Sequence, residues 1–355
     1  MSAQKYRNER MLVYITIEKI KELIDSPAYD FLRTNEHVKD RIIFLTLGGS
    51  HAYGTNTATS DVDIRGCAMN STSDLVGLSN FEQLVNTETD TTIYSFNKLI
   101  GLILNCNPNT IEMLGCKPEH YFFCTDIGRE MIDNRKLFLS KRAVNSFGGY
   151  ATQQLRRLEN AIARDSLTQS RQEEHILNSM KRAVLTFEGR YTAFDEGSVT
   201  LYTDASRRED LDTEIFANIN LQKFPAREFG SILNDLKNVL SSYGKLNGRN
   251  KKKDAAHLNK HACHLIRLYL MCLDILEKEE VVTYRENDLD LLMSIRNGAY
   301  QLDDGTYRPE FFDMVTEYER RIQYAKENTS LPAHPNMKRV EEFVMDVNRR
   351  ALAIG

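Results

Sequence analysis

The run Arg41 to Leu47 (RIIFLTL) consists of β-branched, aromatic and aliphatic residues and stops at two glycines, Gly48 and Gly49. Ten residues after Ser50, a second β-prone run opens at Asp61-Val62-Asp63 and continues to Met69 with an imperfect alternation of apolar residues. A third strand is expected near Thr89 to Tyr94, and a short amphipathic helix around Ile15 to Ile24 precedes all three. From about Gly128 the pattern changes. Apolar residues recur at three- and four-residue spacing in 142–164, 173–194, 227–243, 255–277, 287–297, 309–328 and 336–351, which predicts helices. Strands confined to the first third and helices thereafter predict an α+β chain: an N-terminal core with a mixed sheet over 1–128 and a mostly helical domain over 129–355. A length of 355 residues suits two such domains. The stretch Asp195 to Phe224 is the least regular and reads as an exposed excursion.

Charge and cysteine usage narrow the function classes. Lys and Arg total 46 against 50 for Asp and Glu, a net charge of -4, so a uniformly basic nucleic-acid coat is excluded while a local basic patch is not. The longest apolar stretches, such as Leu99 to Cys106, are under half the roughly 20 residues of a bilayer span, and the N-terminus opens no signal-peptide pattern. No membrane association and a cytoplasmic location are therefore expected. The six cysteines contain no Cys-x-x-Cys pair, so they read as reduced, mostly buried thiols rather than a zinc knuckle or a disulfide framework. The oligomeric state has no signature here.

The chemistry concentrates at the junction of the first two strands. Side chains two apart on a strand share a face, so Asp61 and Asp63 present two carboxylates side by side, and the pair is repulsive unless a cation sits between them. Hard oxygen ligands select Mg2+ or Mn2+, and a two-metal clamp is the natural arrangement. Gly49 lacks a Cβ, so a phosphate can approach its N–H, and the Ser50 hydroxyl adds a donor for the same anion. No Walker lysine follows the glycines, which disfavours a P-loop. Singly, Gly-Gly-Ser is a common turn and Asp-x-Asp a common solvated strand end; with strands on both sides they become specific.

Other residues have competing readings. Arg65 shares the Asp63 face and offsets its charge. Lys98, on the helix after the third strand, either reaches a phosphate or is simply solvated. Glu112, in Asn109-Thr-Ile-Glu112, has capping-box spacing. In the helix from Asp254 to Leu276, Arg267 is the only charge between Leu265 and Leu273, so burial there demands an anionic partner. Lys260, His264 and Arg267 form one stripe, facing either phosphates or an acid of the helical domain. His257 and His261 lie on the same face, but no Cys or Asp cluster accompanies them to complete a zinc site. Arg296 falls near a helix end that Gly298 caps. Lys245 to Lys253 holds five cations and no acid, a solvated loop or a phosphate contact.

Gly49-Ser50, the ten-residue gap and Asp61-x-Asp63 resemble the signature of the DNA polymerase beta nucleotidyltransferase superfamily. Tyr94-Ser-Phe-Asn-Lys98, Asn107-Pro-Asn-Thr-Ile-Glu112, Lys260-His-Ala-Cys-His264-Leu-Ile-Arg267, Ile295-Arg-Asn-Gly298 and Ser330-Leu-Pro-Ala-His-Pro335 are similar to stretches of its RNA-repair-associated family, found in bacteria and their phages. The resemblance implies a polymerase-beta-like core and a third carboxylate, Asp90, with Glu88 as competitor. It implies that Asp61, Asp63 and Asp90 are catalytic and hold Mg2+ or Mn2+, and that Gly49, Ser50, Lys260, His264 and Arg267 bind the nucleotide. The implied reaction transfers an NMP from an NTP such as ATP to a hydroxyl, an RNA or tRNA end, and releases pyrophosphate. Protein or small-molecule nucleotidylation and a catalytically silent nucleotide-binding module are the alternatives. A binding-only module has no need of a repulsive pair, which weighs against silence.

Overall fold

A computed structural model of the chain describes residues 15–166, 199–207, 213–220, 255–303 and 305–354, with a few single positions between 174 and 237. Contacts group the chain into two compact units. The first comprises Met1–Gln153, Cys263–Ala299 and Glu310–Gly355; the second comprises Gln154–Ala262 and Tyr300–Pro309.

The first unit opens with helices α1 (Ile17–Ile24) and α2 (Phe31–Thr34). Then follow β1 (Ile42–Gly48), α3 (Gly49–Tyr53), β2 (Asp63–Ala68), α4 (Thr72–Val76), β3 (Gln83–Asn86) and β4 (Thr91–Ser95). Helices α5 (Phe96–Ile103) and α6 (Pro108–Ile111) lead to β5 (Tyr121–Cys124) and α7 (Asp126–Asp133). The long α8 (Arg142–Ser166) carries the chain into the second unit, which contains β6 (Val199–Ala205) and β7 (Thr213–Ile219). Helix α9 (Ala255–Leu273) begins in the second unit and from Cys263 belongs to the first, which also holds α10 (Leu289–Arg296), all of α11 (Pro309–Asn328) after its first residue, and α12 (Met337–Ile354).

The three expected strands are present within two residues of their expected ends, together with β3 and β5. Five strands form one mixed sheet in the order β3-β4-β2-β1-β5, in which β1 runs antiparallel to β2 and β5, β4 runs parallel to β2, and β3 is antiparallel to β4. The expected helices at 142–164, 255–277, 287–297, 309–328 and 336–351 are all found. Those at 173–194 and 227–243 fall largely, and the Lys245–Lys253 loop wholly, outside the described residues. The architecture is α+β, with a helical C-terminal part. The expected excursion at Asp195–Phe224 instead contains the antiparallel β6–β7 hairpin, paired from Val199↔Ile219 to Ala205↔Thr213. Tyr202 and Phe216 are directly opposed in this register and stack across the ladder at 5.9 Å.

The two faces of the five-stranded sheet do different work. Leu45, Leu47, Ile64 and Ile93 share one face and are buried with Ile20 and Ile24 of α1, Tyr29, Leu32 and Val38. Each such side chain contributes about 1.5–3 kcal/mol by leaving water. The other face carries Thr46 and Gly48 of β1, Asp63 and Arg65 of β2, and Thr92 and Tyr94 of β4, brought level by the pairs Gly48↔Asp63, Thr46↔Arg65 and Arg65↔Thr92. Apolar anchoring on one face thus fixes where the polar face presents its charges.

Candidate active site

The chain turns from β1 into α3 at Gly49, whose φ of 57° lies in the left-handed region. A Cβ there would overlap the Asp63 carboxylate oxygen Oδ2, so glycine is demanded by both conformation and space. Helix α3 ends at Gly54, φ 79°, where the Thr55 N–H donates to the Ser50 carbonyl at 2.9 Å. The turn Gly48–Ser50 and the first carboxylate of β2 are therefore in direct contact.

Strand β2 begins at Asp63, so Asp61 stands in the segment just before it and is exposed, rather than inside the strand as the alternation predicts. Asp90, immediately before β4, is level with Asp63 in the parallel register. Its carbonyl accepts the Ile64 N–H at 3.3 Å and Arg65 Nη1 at 2.6 Å, and its φ is 45°. Burial pushes the Asp63 carboxyl above its ordinary pKa, Arg65 pulls it down, and the charges of Asp61 and Asp90 push it up again. The three acids are thus electrostatically coupled at one end of β2 and β4. Glu88, the competitor of Asp90, is exposed in the preceding turn.

Arg65 Nη2 donates to Asp63 Oδ1 at 2.8 Å, the offset of charge expected from its strand position. Among the described residues no three His, Cys, Asp or Glu side chains are gathered closely enough to hold a metal ion in this conformation. The donor chemistry nevertheless fits a hard divalent cation: the groups are carboxylates, Asp63 is raised by burial with the charges of Asp61 and Asp90 adding to it, and the adjoining glycine leaves the carboxylate room.

The residues of the stripe expected on α9 have different surroundings. Lys260 is exposed. Arg267 is 1% exposed, and its Nη1 donates to Glu112 Oε2 at 3.2 Å, which supplies the anionic partner that its burial requires. Arg267 Nη2 meets His264 Nδ1 at 3.1 Å, which ties His264 to the same pair. His261 Nδ1 pairs with Gln154 Oε1 at 2.9 Å. Lys98 donates to Glu82 at 2.9 Å. Arg296 closes α10 before Gly298, φ 88°, as expected.

The Glu112 side chain does not close the expected capping box; its backbone stands at the C-cap of α6. Asn107 caps α6, accepting the Asn109 N–H at 3.0 Å, and leaves Glu112 past the end of that turn, 5% exposed. Its carboxylate accepts the Tyr53 hydroxyl at 2.9 and 3.0 Å, and the Arg267 guanidinium lies 3.6 Å over the Tyr53 ring. Burial raises Glu112, with Arg267 and Tyr53 opposing it. The signal for Glu112 was available: a lone acid between Ile111 and Met113 poses the same burial problem as Arg267. Tyr53 carried no such signal. His51 and His120 are buried too, and burial lowers both below the ordinary histidine value; among the described residues His51 Nε2 and His120 Nδ1 meet no hydrogen-bond partner. The charges of Asp63 and Asp61 reach His51.

A β-strand, a Gly-Ser turn and an antiparallel strand opening on Asp63, with a parallel neighbour beside it, make up a polymerase-beta-like core. Residues 24–182 match the family model described as the RNA repair pathway DNA polymerase beta family. No curated protein and no solved structure matches the chain. No helix among the described residues is long and apolar enough to cross a membrane.

Proposed function

We propose that the protein is a metal-dependent nucleotidyltransferase that moves an NMP from an NTP to an acceptor hydroxyl, with an RNA end, tRNA-like, as acceptor. The observation that carries this reading is the contact between the Gly49 turn and Asp63, with Asp61 and Asp90 coupled to the same carboxylate. The family match over 24–182 supports the reaction class and the RNA acceptor.

In this reading Asp61, Asp63 and Asp90 hold Mg2+ or Mn2+. The bound ion supplies Lewis-acid stabilisation of the charge on the attacking and leaving oxygens. The Gly49 N–H and the Ser50 hydroxyl hold the triphosphate. Asp90 accepts the proton of the acceptor hydroxyl, whose oxygen forms the new bond to the α-phosphorus as the bond to pyrophosphate breaks in line. None of the six cysteines is in a disulfide, which suits a cytoplasmic setting.

The test is transfer of label from each α-labelled NTP to RNA, protein and small-molecule pools, with Mg2+ and with Mn2+. Transfer to RNA that is lost in Asp61→Asn and Asp63→Asn is expected. Label reaching protein and never RNA refutes the acceptor; no transfer to any pool refutes the enzyme.

A further inference from the structure

We infer that Tyr53, Glu112 and Arg267 form a positioning unit that fixes the turn Gly48–Ser50 against Asp63, an inference that rests on the nucleotidyl-transfer reading for its functional consequence. Helix α3 has five residues, too few to hold itself by backbone bonds alone, so its place must come from its ends. At its start Gly49 abuts the Asp63 carboxylate. At its last residue, Tyr53, three contacts converge: the hydroxyl on Glu112, the ring beneath the Arg267 guanidinium, and the carbonyl accepting the Arg285 N–H at 3.1 Å.

Each partner is itself fixed. The Glu112 carbonyl accepts the Thr283 hydroxyl, and the Thr283 N–H donates to the Gly115 carbonyl at 3.1 Å. Arg285 is 4% exposed and paired with Asp274 and Asp288. Tyr284, the neighbour of Arg285, lies against Gly54, where a Cβ would come within 2.7 Å of its ring.

A buried ion pair contributes little net stability against well-packed apolar residues, because desolvation offsets the attraction. Its hydrogen bonds, however, allow one arrangement where an apolar contact allows several. The Tyr53 hydroxyl is the link that transmits this arrangement to α3. Tyr53, Glu112 and Arg267 touch no reacting atom in this scheme; they act through the turn.

The experiment compares wild type with Tyr53→Phe, which deletes one hydroxyl and keeps the ring, and with Glu112→Gln. Hydrogen exchange across 49–54 and binding of ATP, GTP, CTP and UTP with Mg2+ are measured, with melting temperature as control. Faster exchange in 49–54 than in the neighbouring β1 and β2 is expected, with nucleotide affinity reduced about tenfold, the worth of one hydrogen bond to a charged group. Unchanged exchange in 49–54, or a lowered melting temperature with unchanged affinity, overturns the inference. Should Glu112→Gln fail to fold, Tyr53→Phe decides alone. If wild type binds none of the four nucleotides, the nucleotidyl-transfer reading fails, while exchange across 49–54 still decides whether the three residues hold the turn.

Discussion

At Gly49 a single hydrogen in place of a side chain satisfies two demands, a left-handed backbone and contact with the Asp63 carboxylate. Gly49→Ala therefore costs about 1–2 kcal/mol from conformation alone, with the overlap on Asp63 in addition. A lowered melting temperature and loss of label transfer are expected. Gly101, in α5, meets nothing within 4 Å of a built Cβ, so Gly101→Ala is the control: it stabilises by roughly 0.5–1 kcal/mol through helix propensity and leaves transfer intact. Thermal unfolding of the two variants checks both. The contrast shows why Gly49 was legible as a special glycine in its motif, whereas the reason, Asp63 beneath it, needed the register of β1 on β2.

At the scale of elements, α4 shows how a short helix is held by its cap. Ser71 and Asp74 form a capping box, and Asp74 Oδ1 also accepts the Ser79 hydroxyl at 2.6 Å and the Phe81 N–H at 3.1 Å. Burial works against the charge, but the hydrogen bonds from Ser71, Ser79 and Phe81 outweigh it and draw the carboxyl down to about 2. A carboxyl lowered by folding adds stability above its unfolded value near 3.9, and that stability is lost as pH falls towards 2. Asp74→Ala is thus expected to cost about 1 kcal/mol at neutral pH, a typical cap energy that already allows for solvent screening. The difference from wild type should vanish near pH 2; a constant difference from pH 7 to 2 refutes the assignment. Elements of this kind were only partly readable. The long helices announced themselves by period, but the β6–β7 hairpin hid in a stretch where seven-residue strands compete with surrounding polar residues.

At the scale of the whole molecule, Arg267 on α9 reaches Glu112, so residues far apart in the chain close one unit. Removing one member strands a buried charge, which costs about 3–5 kcal/mol, whereas replacing both by apolar residues is far less damaging. Urea unfolding of Glu112→Leu, Arg267→Met and the double variant should show the double well below the sum of the singles. Strict additivity would show that the pair is not coupled.

The sequence by itself determined the α+β order of elements and the strand–turn–strand unit that carries Gly49 and Asp63, because periodicity and backbone chemistry are local. It also required that Arg267 have an anionic partner, since a charge in an apolar helix is costly anywhere. Which acid answers that requirement, and that Arg65 holds Asp63 and the Asp90 carbonyl together, were decided only by the tertiary structure. Those pairings depend on strand register and on the return of α9 to the first unit, and both are set by apolar burial summed over many residues rather than by the polar residues that are paired.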